Sequence, residues 1–385
     1  MGPHEVTGPL SGVRVVEVAG IGPGPFCAML LADLGAEVVR VDRTTSAGGN
    51  AASARFDVLG RGRRSVAVDL KHEDGAEVVL RLVEGADALL EGFRPGVTER
   101  LGIGPAECLA RNRRLVYGRM TGWGQEGPLA QSAGHDITYA AVAGALAHIG
   151  RAGQLPTPPL NLVADFGGGG MLLALGMVAG LFHAQRTGEG QVVDAAMVDG
   201  TALLMAPFFA ARATGFWSDE RGTNLLDSGA PFYDVYRCAD GEEIAVGAIE
   251  PQFFAALLEV LELRPGSLPD QNDRDRWPEL RAALTWAFAG RPRAEWLRRA
   301  EGRDACLAPV LTMGEAAEHP HLQARGTIVE RDGVPQPAPA PRFSATPAAL
   351  DRPPAAAGGH TDEVLEAWGF TTEEISVLRD RGAIV

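Results

Sequence analysis

Within its first 42 residues the chain runs from strand to turn to helix to strand. Residues 13–18 are a short apolar run of strand type, and Gly20-Ile21-Gly22-Pro23-Gly24-Pro25 follows as a turn. Residues 26–34 have helical spacing and stop at Gly35, and residues 36–42 are a second strand. Neighbouring strands joined through a helix run parallel, and a parallel sheet is covered by helices on its faces. The opening therefore predicts an α/β fold on a largely parallel sheet. Gly20, Gly22 and Asp42 imitate a dinucleotide-binding fingerprint, but Pro25 stands where that pattern wants its third small residue. Pro23 and Pro25 also remove two N–H groups that would cradle a pyrophosphate. A tight turn between strand and helix is the better reading.

Further strands are expected over 65–70, 88–91 and 114–118, with helices over 74–83 and 105–112 between them. The pattern turns helical over 136–148 and 166–185, and 191–195 reads as the last strand of this part. A chain of 385 residues exceeds one ordinary core, so two domains are expected. Residues 1–200 would form the N-terminal part of a large domain, 201–228 a helical linker and 229–328 a small domain. In the last of these, 230–249 alternates around an Asp240-Gly241 turn like a hairpin. Residues 329–385 carry a strap rich in Pro and Ala and a helical tail.

A net charge of −14 leaves no basic excess to displace phosphate counterions, which argues against nucleic acid as a partner. A local anion site remains open. Residues 1–5 lack a signal pattern, and Val6 stands where myristoylation wants Ser or Thr. The longest apolar run, 171–182, is too short for a bilayer and holds Gly176 and Gly180, so no membrane partner is expected. Cys27, Cys108, Cys238 and Cys306 have no paired spacing and read as reduced thiols of a cytoplasmic protein with no metal site. Of 35 basic side chains only Lys71 is lysine, and a compact ammonium among guanidiniums is a candidate ligand contact.

Several longer stretches are more specific. Glu91-Gly92-Phe93-Arg94-Pro95-Gly96-Val97, running on to Arg100-Leu101-Gly102, resembles a signature of the class III CoA-transferase family. So do Thr121-Gly122-Trp123-Gly124-Gln125-Glu126-Gly127-Pro128, Gly190-Gln191-Val192-Val193-Asp194 and Gly229-Ala230-Pro231-Phe232-Tyr233. Gly134-His135-Asp136, the run from Pro159 to Gly169 and Gly247-Ala248-Ile249-Glu250-Pro251 are most similar to the branch of bacterial racemases acting on 2-methylacyl-CoA thioesters. The resemblance covers nearly the whole chain. It implies a Rossmann-like large domain, a smaller α+β domain and a last segment returning to the large domain. It also implies an interlocked homodimer, with the active site between the large domain of one subunit and the small domain of the other. The substrate would be an acyl-CoA, with no separate cofactor because CoA is part of the substrate.

The implied reaction moves a proton at the carbon next to a thioester carbonyl, through an enolate. Inversion is simplest with two acid/base groups on opposite faces. The resemblance assigns these to His135 and Asp165, with Glu250 paired to His135 in a proton relay. A helix expected from about Asp136 would put its positive dipole end at His135 and disfavour imidazolium. Asp165 would precede a Gly-rich helix start, where N–H groups face the enolate oxygen. Each residue also has a bland reading: His135 beside a helix cap, Asp165 as a cap, Glu250 as a solvated residue before Pro251.

The resemblance gathers the CoA site from Arg43, Val68, Asp69, Leu70, Lys71, Gly92, Phe93, Arg94, Arg100, Gly134, Asp136, Ile137, Thr138 and Tyr139. Basic groups at strand ends suit the phosphates. Arg55, Arg61, Arg63 and Arg64 either help hold the adenosine phosphate or keep a Gly-rich loop soluble. Met197, Met205, Phe208, Phe209, Phe216 and Trp217 line an acyl pocket or belong to the core. The rival within the family is CoA transfer, where the residue matching Asp165 is a nucleophile and the position matching His135 is typically not His.

Overall fold

The computed structural model describes residues 8–385 apart from Asn50, Pro265 and Asp351. Residues 1–6, read above for a leader and for acylation, lie outside the described residues. The chain divides into two compact units. One holds the chain up to Ala143 together with Leu160–Leu204 and Arg325–Val385; the other holds Gly144–Pro159 and Met205–Ala324. Residues 144–159, expected in the first domain, thus fall in the second unit. Long-range polar contacts draw them there: Arg151 pairs with Asp234 at 2.8 Å, and Arg221 donates to the Ala147 carbonyl at 2.7 Å.

In the first unit six strands pair in parallel: β1 (Arg14–Val18), β2 (Glu37–Asp42), β3 (Arg63–Ala67), β4 (Ala88–Glu91), β5 (Val116–Thr121) and β6 (Gln191–Ala196). Their order is β3-β2-β1-β4-β5-β6, so the α/β class read from the opening residues is borne out. Helices α1 (Pro23–Asp33), α2 (Gly75–Glu84) and α3 (Pro105–Arg111) supply crossovers. The apolar runs of the strands and helix α2 form a core that includes Val16, Val18, Val39, Val41, Val79 and Leu89, all 3% exposed or less. Helix α1 starts three residues before its expected position, because Gly22 takes φ 71° and Pro23 opens the first turn. A proline is tolerated there, since the N–H it lacks would have no partner in the helix.

The arginines around β3 take part in ion pairs. Arg61 pairs with Asp33 at 2.6 Å, Arg63 with Glu17, and Arg64 with Glu37 and Glu363. Arg61 and Arg63 sit in buried ion pairs, and Arg64 pairs with two carboxylates that are partly exposed. Removing one member of such a buried pair typically costs about 3–5 kcal/mol. The last segment closes the sheet beyond β3. The Ala67 amide donates to Thr361 Oγ1 at 3.2 Å, the Asp69 amide donates to the Ala383 carbonyl at 2.9 Å, and Val68 bridges Ile384.

Helix α4 (Asp136–Val142) stops earlier than expected, where Gly144 takes φ 85°. A continuous helical run then begins as a π-helix over Leu162–Met171 and passes into α5 (Leu172–Thr187). At 26 residues it is long and apolar enough to cross a membrane, by length and composition, which overturns the length argument made from 171–182. Leu173, Met177, Gly180 and Ala184 form its buried stripe, packed on β5 and β6, while Met171, Leu175 and Phe182 are exposed. Helix α6 (Met197–Leu204) follows β6.

The four glycines Gly167 to Gly170 let the π-helix nest between α1 and α6. A Cβ on Gly168 would come within 2.6 Å of the Thr201 amide, and one on Gly170 within 2.9 Å of the Pro23 carbonyl. Wide helices of this kind are rare and are found at functional sites.

The second unit carries an antiparallel sheet, β7 (Tyr233–Arg237), β8 (Glu243–Gly247) and β9 (Leu307–Pro309). Helices α7 (Pro251–Val260), α8 (Trp277–Phe288) and α9 (Arg293–Ala300) share with it a core that includes Phe232, Ile244, Leu257, Leu280 and Phe288.

Candidate active site

Strand order reverses between β1 and β4. The loops leaving these two strands diverge, which opens a crevice at their carboxyl ends where open α/β sheets bind ligands. A cavity of about 340 Å³ lies there, within the first unit. Gly22 reaches it from β1, Phe93 and Arg94 from β4, and Trp123 from β5; His135 and Asp165 complete the wall.

His135 is the N-cap of α4, in extended conformation at φ −139°. Its backbone is held by Thr138, whose hydroxyl accepts from the His135 amide at 3.0 Å and meets the His135 carbonyl at 2.7 Å. The imidazole is left to face the cavity at the positive end of α4.

Asp165 is the fourth residue of the π-helix, and Asn161 takes the cap position expected for it. The Asn161 Nδ2 donates to Asp165 Oδ2 at 3.3 Å. Half-burial pushes the Asp165 carboxyl above its usual range; the Asn161 bond opposes this, the Asp136 charge adds to it and His135 opposes it. A raised carboxyl both takes up and returns a proton more readily near neutral pH. The helix-start amides of Ala164 and Asp165, expected to face a ligand, instead both donate to Asp136 Oδ1 at 2.7 Å.

Tyr139 closes one side. Its ring lies against Gly122 and Gly134, where a Cβ would come within 2.2 and 2.5 Å, so neither position accepts a side chain. Trp123 meets the same ring edge-on at 4.8 Å. Burial and the Asp165 charge push the Tyr139 hydroxyl up, while Arg94 pulls it down.

Glu91, for which no role was expected, shapes the loop that presents Arg94. It is 1% exposed; Oε2 accepts from the Phe93 amide at 2.6 Å and Oε1 from Arg119 Nε at 3.2 Å. Burial pushes its carboxyl up to about 7 against both bonds.

Of the expected CoA set, Gly92, Phe93, Arg94, Gly134 and Tyr139 line the cavity. Arg43 follows β2 and Lys71 follows β3, exposed at the same carboxyl edge but outside the cavity wall; Arg100 is exposed on a helical turn after Gly96. Val68 and Leu70 turn into the core, and Asp69 Oδ1 accepts from the Lys71 amide at 2.9 Å. Ile137 and Thr138 are exposed outside the wall. Asp136 is 4% exposed, and its Oδ1 accepts from amides of the π-helix. Glu250 lies in the second unit as the N-cap of α7. Met197 lines the cavity. Met205, Phe208, Phe209, Phe216 and Trp217 belong to the second unit, where Trp217 packs on Phe208 at 4.8 Å.

Fold and site together define a class: a doubly wound α/β protein with a histidine and a carboxyl group in the crevice at its switch point. Residues 10–361 match CoA-transferase family III, and the chain belongs to that family. It is 50% identical over 372 residues to the α-methylacyl-CoA racemase of Mus musculus, covering 96% of each chain. The α-methylacyl-CoA racemase of Homo sapiens is 49% identical over 376 residues, again with 96% of each covered. A solved structure of a CaiB/BaiF family protein from Brucella suis superposes with a TM-score of 0.80 at 26% identity, over 94% of this chain and 100% of that one.

Proposed function

We propose that this protein is an isomerase that interconverts (2R)- and (2S)-2-methylacyl-CoA thioesters. The observation that carries the reading is a histidine and a half-buried, raised carboxyl group in one switch-point cavity. The names of the mouse and human relatives support it. One group takes the α-proton, the thioester carbonyl takes up the electron pair as an enolate, and the other group returns a proton to the opposite face. His135 serves the S form and Asp165 the R form, with Glu250 relaying to His135. One proton leaves and one arrives, so the step calls for no cofactor. Arg43, Lys71, Arg94 and Arg100 meet the CoA phosphates. Met171, Leu175 and Phe182, exposed on the π-helix and α5, favour a homodimer in which a second copy covers them. Four free cysteines fit the reducing cytoplasm. His135 favours this reading over CoA transfer, which needs Asp165 as a nucleophile but no second base.

A single enantiomer of a 2-methylacyl-CoA, incubated in deuterium oxide, is expected to gain one α-deuterium and lose optical purity without an added acid. Turnover only with a carboxylic acid acceptor, or a hydroxylamine-sensitive acyl group on Asp165, would assign the transferase instead. Arg94→Ala is expected to weaken acyl-CoA binding about tenfold, as for a charge-assisted phosphate contact, with kcat largely kept and the effect shrinking at high salt. Unchanged affinity would place CoA elsewhere.

A further inference from the structure

His135 and Asp165 come from different helices, and one residue touches the start of both. Asp136 is the first residue of α4, directly after the His135 cap. Its carboxylate crosses to the π-helix, where Oδ1 accepts from the amides of Ala164 and Asp165, both at 2.7 Å. The side chain is 4% exposed, and its Oδ2 is buried with no hydrogen-bond partner. A cap needs one acceptor oxygen; a buried carboxylate is a costly way to supply it, since a neutral amide would do the same. The charge itself therefore calls for a role.

We propose that Asp136 is a positioning residue that ties the two proton-transfer groups together, fixing the turn that carries Asp165 to the residue beside His135 and setting the electrostatic field at the Asp165 carboxyl. This rests on the proton-transfer reading of the site. The groups acting on Asp165 are few. Asp136 and His135 act from the start of α4, Asn161 acts from the cap of its own helix, and Tyr139 feels the Asp165 charge in turn. On α1, Cys27 lies in the field of Glu17 and Arg63, and Asp33 is paired to Arg61. On α6, the charge of Asp199 falls on Asp194, and on β5 Arg119 is bound to Glu91 and Glu99. Burial lifts the Asp165 carboxyl most, and Asp136 is the negative charge that adds to it. A base works ionised, so turnover of the R form rises as pH passes upward through the Asp165 ionisation.

Two substitutions separate the hydrogen bond from the charge. Asp136→Asn keeps an oxygen for both amides and removes the charge. Hydrogen exchange over 162–166 is expected to stay slow, while Asp165 titrates at lower pH in carbon-detected NMR. The acid limb of the R-form rate moves to lower pH with it. Asp136→Ala removes both, so the same amides exchange faster and kcat falls roughly 10–100-fold, as for a misplaced catalytic group, with KM for acyl-CoA little changed. An unmoved Asp165 titration in Asp136→Asn overturns the proposal, as does unchanged amide protection in Asp136→Ala. If Asp136→Ala does not fold, the Asp136→Asn titration decides alone. An inactive wild type would sink the proton-transfer reading, and exchange and titration would still judge Asp136.

Discussion

His135→Ala and Asp165→Asn are each expected to lower full racemisation by about 10²–10⁴-fold, because every inversion uses both groups. Exchange without inversion is a separate measurement. A variant lacking one group still washes deuterium into the enantiomer whose proton faces the other. His135→Ala should therefore keep residual exchange with the R form, and Asp165→Asn with the S form. Both can be read by NMR on each enantiomer in deuterium oxide. Equal loss for both enantiomers in both variants would remove the face assignment, and near-wild-type racemisation in either would remove that residue from the reaction.

Gly200→Ala is expected to be the most damaging single methyl addition in the first unit. A Cβ there would stand 1.8 Å from the Gly168 carbonyl oxygen, a backbone atom that no side-chain motion can clear. Either α6 or the π-helix must move, and overpacking of this sort costs about 3 kcal/mol. The π-helix pressed on by the new methyl carries Asp165, so kcat should fall along with the melting temperature. Gly314→Ala is the control, since the nearest atom to its new methyl is 4.0 Å away. Thermal denaturation of both variants, with turnover, checks the contrast; equal melting temperatures would mean that α6 and the π-helix are not pressed together.

The legible parts of the fold were those set by neighbours in the chain. The β1-α1-β2 unit followed from apolar runs punctuated by Gly20 and Gly35, and the β7-β8 hairpin from alternation around Asp240-Gly241. What stayed hidden depends on partners distant in sequence. Arg61, Arg63 and Arg64 look like a solvated basic loop until Asp33, Glu17 and Glu37 are seen across the sheet. Asp165 looks like a helix cap because Asp is a good one; the carboxylate that captures the amides beside it comes from Asp136, 29 residues earlier. Glu91 sat inside a stretch singled out by resemblance, yet only the folded loop shows it gripping the Phe93 amide. The cavity itself gathers residues from 21 to 197, and no spacing along the chain encodes that meeting.

The widened helix also makes the site sensitive to length as well as to chemistry. Helix α5 is anchored in rotation by the stripe it buries on β5 and β6, so its register cannot drift. Each residue of an α-helix turns the chain by about 100° and advances it about 1.5 Å. Losing a single glycine from 167–170 would therefore leave α5 in place and swing everything before it, Asp165 first, by most of a right angle or more. The glycine run works as a gauge of angle, and the direction in which the carboxyl points is written in the number of residues between Asp165 and the anchored helix.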